Sequence, residues 1–425
     1  MTTRPAHRRR DRHSLAFAVA CLCVLVLGST VACNKGLLDV QLPSKVTESA
    51  LANPNIAATL VTSAVGAFDC AYTNYVPATG MMTDELRNSS AWATHTYWDH
   101  QLLSPSTDDG AACEELIGYG VYLPLQQARF IAEDATRRIS AWSDAQVPQR
   151  AQLLATLAAY SGYSRILLGE GFCQMAIDAG PAMTPAQVLT SAESIFTNAI
   201  AAAQTANLPS ILNLALVGRA RARLDLGKTQ AAAADAALVP QGFVFNSTHS
   251  SADPTRYNKI YGDNYLNGFI SISWQFIGLT FGGVPDPRVK FDTSANKAMD
   301  QSVLILQNKY TAYSSPIPMA TWQEAQLIIA EAQGGQTAVA IINTLHSMAG
   351  LPPFTSSDPT AITKQVQQER SRELFLDGHR LYDMIRWKLP FATGVDPYDG
   401  VTYGTSTCMP LPQSEINGNP NLRGG

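Results

Sequence analysis

Nowhere along the chain do two cysteines stand at CxxC spacing, although there are seven of them, and without such pairs a thiolate zinc site is not expected. G-x-S-x-G, HExxH, P-loop and Rossmann patterns are also missing, so no activated serine, zinc hydrolase or nucleotide cradle is spelled out. Excess positive charge is lacking. The formal net charge is −4, which argues against nucleic acid as a partner and against broad contact with anionic lipid. No second long apolar stretch follows the one that precedes Cys33, so nothing later reads as an anchor. No cofactor, no metal and no catalytic residue is expected.

What is present begins at the amino terminus. Arg4, Arg8, Arg9, Arg10 and Arg12 precede an apolar run from Leu15 to Leu27, and small residues lead into Cys33. That order is an export signal, and the run is too short to stay in a bilayer as a span. Thr30-Val31-Ala32-Cys33 resembles a lipobox, in which the signal is cut before a cysteine that carries diacylglycerol. The rival is an ordinary secretory signal with a cysteine nearby. Loss of residues 1–32 removes five arginines and one aspartate, so the formal charge becomes −8 over 393 residues, enough for one large or two ordinary domains. Cys21 and Cys23 leave with the signal and Cys33 is the lipid site. Cys70, Cys113, Cys173 and Cys408 remain for disulfides in an exported chain. Their pairing stays open, with Cys70–Cys113 favoured because both fall in a stretch that reads as loop-rich.

Residues 34–48 read as a tether, and Thr47 offers an N-cap to a first helix. Leu153, Leu157, Tyr160 and Leu167 then recur at helical spacing, and Thr184-Pro185 opens a further helix. Ile211 to Leu226, closed by Gly227, and Thr229 to Leu238, closed by Pro240, give two more. Short helix pairs joined by glycine-marked turns are the trace of tetratricopeptide-like units. Between Gln241 and Pro318 the texture turns to Gly, Asn, Ser, Asp and Tyr, with short strands predicted around Phe269–Ile272. Helical pattern returns at Thr321, again over Ala338–Met348 up to Gly350, and from Thr363 to near Gly378. The expectation is an all-α domain over residues 33–425, with a helical scaffold at about 50–240 and 320–390 and a loop-rich insert at about 241–320.

Two clusters could carry function. From Cys70 to His100 the sequence gathers Tyr72, Tyr75, Asp84, Asn88, Trp92, Tyr97 and Trp98. Sugars present flat C–H faces and a rim of hydroxyls, so aromatic platforms with Asn or Asp alongside suit them. These seven are the candidate ligand-binding residues, with burial of Trp92 and Trp98 as the competing possibility. Trp274 and Tyr257 are second-line candidates. The other cluster, Glu369 to Trp387, is dense in charge and resembles an acid–base site. An ion-pair network explains it better, with Arg370 and Arg372 beside Glu369 and Glu373, Arg380 and Asp383 at i,i+3, and His379 part of the network rather than a metal ligand. Asp84 and Glu85 could be taken for a hydrolytic carboxylate pair, but adjacent residues on a helix or strand point apart.

Four segments resemble the RagB/SusD family. They are Cys33-Asn34-Lys35-Gly36-Leu37-Leu38-Asp39-Val40; Trp322 to Ala332 continuing to Ala349-Gly350-Leu351-Pro352; Glu369 to Trp387, the most specific; and Met409-Pro410-Leu411-Pro412 with Glu415-Ile416 and Asn419-Pro420. Arg423 departs from the usual Gln-Asn ending. The middle of the chain contributes only Asp286-Pro287-Arg288 and the helix pairs. The resemblance implies a SusD-like helical fold with tetratricopeptide-like pairs and long irregular loops. It also implies a surface-exposed, lipid-anchored outer-membrane protein that binds oligosaccharides or peptides without chemistry and passes them to a TonB-dependent transporter. Family members often hold ligand aromatics in loops after the first helices. The alternative is a helical-repeat scaffold lipoprotein of the envelope with no small ligand.

Overall fold

Thr47 does what its position predicts: its hydroxyl accepts from the Ala50 amide at 3.3 Å and caps α1 (Glu48–Leu51). The computed structural model describes Thr2 and residues 47–107, 109–113 and 118–422. The export signal and Cys33 lie outside these residues. Contacts divide the chain into two units, Met1–Asn53, to which α1 belongs, and Pro54–Gly425.

The second unit opens with α2 (Ala57–Met82). Every residue from Phe68 to Met82 is buried, so the first half of the stretch expected to be loop-rich is core helix. Pro77, Thr73 and Asn74 give it a loop-like texture. Thr73 Oγ1 donates to the Tyr257 carbonyl at 2.9 Å and Asn74 Nδ2 to the Cys70 carbonyl, whereas Asn74 Oδ1 is buried without a partner among the described residues. By length and hydropathy Pro54–Met82 is apolar enough to cross a membrane, which the sequence pattern alone did not bring out. Its burial from Phe68 to Met82 against other helices identifies that part as core.

β1 (Leu86–Asn88) and α3 (Ala93–Asp99) follow, then α4 (Tyr122–Ser140), α5 (Arg150–Gly171), α6 (Pro185–Thr205), α7 (Pro209–Asp225) and α8 (Thr229–Ala236). α4 has a clear signal, with Tyr122, Leu125, Ala132 and Ile139 buried on one stripe. Helices α4 to α8 each pack on the next, in the manner of helical repeats. Thr184 and Gln187 form a full capping box on α6. Its Phe196 is wedged between two neighbours: a Cβ on Gly162 of α5 would stand 2.7 Å from the ring, and one on Gly218 of α7 2.4 Å. Only glycine lets these three helices close on one aromatic.

The insert supplies β2 (Val244–Ser247), one-turn α9 (Lys259–Tyr261), β3 (Ile270–Ile272), β4 (Thr280–Phe281), β5 (Val284–Pro285), β6 (Phe291–Lys297), β7 (Val303–Gln307) and β8 (Ile317–Thr321). Among the described residues these strands pair only as two-stranded ribbons, β1–β3, β2–β8, β4–β5 and β6–β7. The helical scaffold resumes with α10 (Trp322–Gln333), α11 (Gly335–Ala349), α12 (Pro359–Glu373) and α13 (Arg380–Trp387), and α14 (Gln413–Gly418) lies near the end. Cys70 pairs with Cys113, as favoured, although Cys70 sits in a helix rather than a loop. Cys173 pairs with Cys408 and ties the end of α5 to the segment before α14.

The charged segment at Glu369–Trp387 is a buried ion-pair lattice, but its partners differ from those expected. Arg380 does not pair with Asp383 on its own helix; its forked N–H groups reach Asp84 at 2.7 and 2.6 Å. Asp383 instead accepts from Arg370 and Arg386. Glu369 takes hydrogen bonds from Arg288, His346 and Gln365. Burial would push the Glu369 carboxyl up, but His346 and Arg288 outweigh it and hold it below the ordinary range. Arg288 belongs to Asp286-Pro287-Arg288, so that short motif of the middle is the insert's anchor on α12. His379 is buried, with Nε2 3.4 Å from Arg221.

Candidate ligand-binding cleft

Pairing of β1 with β3 sets Arg87 opposite Ser271, and the Ser273 amide donates to the Glu85 carbonyl at 3.1 Å. The chain therefore leaves β3 beside Asp84, and Trp274 emerges there with 62% of its surface exposed. A cleft of about 360 Å³ opens at this junction, bounded by Asp84, Arg87, Trp274, Gln275, Phe391 and Tyr398 among others. Tyr398, 60% exposed, stands on the loop after α13. A second hollow of about 140 Å³ shares Arg87, Asp99, Asp396 and Tyr398 with the first and adds Asn88.

Arg87 organises the boundary between the two. Its Nη2 donates to Ser302 Oγ at 3.0 Å and to the Val303 carbonyl at 2.8 Å, and its guanidinium lies 4.9 Å from the centre of the Tyr398 ring. A cation over an aromatic face holds that ring in place. Both oxygens of Asp84 are engaged by Arg380, which fixes the carboxylate at the cleft wall. Asp99 is buried and accepts from the Asn88 amide at 2.7 Å. Burial pushes its carboxyl up to about 8, helped by the charges of Asp396 and Asp399. The cleft thus offers two exposed rings with hydroxyl-binding groups between them. A wider depression of about 530 Å³ beside α12 is lined by Pro359, Thr360, Thr363, Lys364 and Gln367 and presents no ring.

Of the seven candidates, Asp84 lines the cleft and Asn88 the adjoining hollow. Tyr72, Tyr75 and Trp98 are core side chains and present no face to solvent, which corrects their expected role as platforms. The Tyr72 hydroxyl lies 2.7 Å from the Asp377 carbonyl, the Tyr75 ring packs where a Cβ on Gly378 would come within 3.2 Å, and Trp98 meets Tyr119 edge-on. Trp92 is half-buried against Phe269, and Tyr97 is 41% exposed on α3; neither lines the cleft. Tyr257 stacks on Tyr313 at 4.0 Å. Trp274 moves to the front. Arg87 and Tyr398 escaped the sequence reading because nothing in their spacing joins residues more than three hundred positions apart.

Residues 324–423 match the model of the SusD family. No curated protein matches the chain. Among solved structures, a SusD-like carbohydrate binding protein from Bacteroides vulgatus is 15% identical, with a TM-score of 0.67 over 87% of this chain and 97% of that one. A SusD superfamily protein from Parabacteroides distasonis is 15% identical, with a TM-score of 0.66 over 90% and 100%. One from Bacteroides fragilis is 12% identical, with a TM-score of 0.67 over 87% and 99%. At these identities the likeness is one of fold.

Proposed function

Since residues 324–423 match the SusD family model and the fold is that of SusD-like proteins, we propose that the chain is a glycan-binding lipoprotein of the outer membrane that captures oligosaccharides in the cleft between Trp274 and Tyr398. The observation that carries this is the pair of exposed rings flanking Arg87 and Asp84. Ring faces stack on the C–H faces of sugars, and charged groups take the hydroxyls that set orientation. Asn88, in the adjoining hollow, extends the polar rim. The protein does no chemistry in this reading: Asp84 is committed to Arg380 and stands as a fixed acceptor rather than an acid or base. Residues 1–32 are removed as a signal, the mature domain starts at Cys33, the diacylglycerol there anchors the protein with its cleft facing outward, and the ligand passes to a TonB-dependent transporter.

Affinity electrophoresis of the purified protein through gels containing a panel of glycans tests binding. At least one glycan retards the protein, and Trp274→Ala and Tyr398→Ala each abolish the retardation without changing Tm, since both side chains are exposed. Absence of retardation by every glycan, or retardation indifferent to both substitutions, refutes the cleft as a sugar site. Lipid labelling of cells checks the anchor, with the label lost in Cys33→Ser. Copurification of a TonB-dependent barrel from detergent-solubilised membranes checks delivery.

A further inference from the structure

The loop that carries Tyr398 folds back over the end of α3. Val395 bridges Thr402, and the Asp396 amide donates to the Val401 carbonyl at 2.8 Å. The Gly404 amide donates to the His100 carbonyl at 2.7 Å. A Cβ at position 404 would stand 2.3 Å from the Gln101 carbonyl oxygen, so the two backbones come this close only because that residue is glycine.

The loop seals the His100 imidazole, which is 1% exposed. Its Nδ1 lies 3.3 Å from the Thr96 carbonyl, which can only accept, so Nε2 is the ring nitrogen turned toward the loop. Nε2 makes no hydrogen bond. It faces Asp399 Oδ1 at 3.3 Å and Asp396 Oδ2 at 3.7 Å, and the three atoms lie within 4.8 Å of one another.

Both carboxylates are already held from behind. The Tyr403 hydroxyl donates to Asp396 Oδ2 at 2.5 Å, the Tyr398 amide to Asp396 Oδ1 at 2.6 Å, and the Val401 amide to Asp399 Oδ1 at 2.9 Å. Each facing oxygen keeps a second lone pair. The Tyr403 ring also stacks on the imidazole at 4.8 Å. This is the support that orients metal ligands before the ion arrives.

We infer that His100 Nε2, Asp396 Oδ2 and Asp399 Oδ1 bind a divalent ion of the zinc class, with water completing its coordination. Bonds of about 2.0–2.2 Å at a four-coordinate zinc place neighbouring donors roughly 3.4 Å apart, and the two imidazole–carboxylate spacings straddle that value. The imidazole donor selects zinc over calcium or magnesium, which take oxygen ligands. Such an ion would depart from the expectation of no metal, which rested on cysteine spacing and on the lack of a second histidine near His379. It pins the loop at Asp396 and Asp399, on either side of Tyr398. Any effect of the ion on glycan binding rests on the cleft reading, whereas the metal site itself does not.

The full-length protein, stripped with a chelator, is titrated with zinc chloride by calorimetry, with calcium chloride in parallel. The expected result is one zinc ion per chain and a Tm that rises with zinc. Asp399→Asn, at a partly exposed side chain that folding tolerates, lowers zinc affinity about tenfold or more and abolishes the Tm response, and His100→Ala does the same. The inference is overturned if zinc binds well below one ion per chain, if Asp399→Asn binds it unchanged, or if calcium binds in its place.

Discussion

Glu85 is turned inward between two residues of the cleft wall. Its Oε1 accepts from the Leu376 amide at 2.9 Å, and its Oε2 has no partner. Burial pushes the carboxyl from 4.5 up to about 8, with the charge of Asp84 adding to the shift. A raised carboxyl pKa means that the folded state holds a proton the unfolded chain has released. Stability therefore falls as pH rises from about 4.5 to about 8 and is level beyond that. Glu85→Gln keeps the acceptor for Leu376 and removes the titration. Chemical denaturation should find the variant close to wild type at pH 4.5 and more stable at pH 9; equal midpoints at both would show that Glu85 is ionised without penalty. Adjacent residues pointing apart was legible for Asp84 and Glu85. Which of the two would be buried was not, because that depends on Leu376 and Arg380, almost three hundred positions away.

At the scale of elements, the Phe196 wedge is the contact to probe. Gly218→Ala adds a methyl group where the ring already fills the space, and the ring cannot retreat because Gly162 bounds its other side. Overpacking of this kind costs about 1–3 kcal/mol, more than the helix propensity that alanine returns. A lower urea midpoint with unchanged m-value is expected. Thr184→Ala should cost about 1 kcal/mol by removing the capping box, read the same way. The start of α6 was legible because Thr, Pro and Gln carry their meaning locally. α2 was not, since Pro77, Thr73 and Asn74 look like loop residues until neighbouring helices enclose them.

Across the whole molecule, the Cys173–Cys408 bridge closes a loop of 235 residues, fastening the carboxyl-terminal segment to the end of α5. Replacement of both cysteines by serine is expected to cost about 2–4 kcal/mol, measured as a fall in the denaturation midpoint. Release of this strap should leave the β1–β3 ribbon and Trp274 in place, since neither depends on it for hydrogen bonds. Glycan retardation that survives the double substitution would agree with that independence; its loss would show that the strap shapes the cleft.

The sequence by itself determined that the scaffold is helical, where α5 to α8, α10 and α11 lie, and that the charged segment after Glu369 is structural. Caps, periodicity and charge at short spacing act within a few residues, so they can be read in order. Tertiary structure alone decided which rings are exposed and which are core, that Arg380 pairs with Asp84 rather than Asp383, and that His100 meets Asp396 and Asp399. Those outcomes depend on which distant segments pack together, because burial and pairing are properties of neighbours in space rather than in the chain.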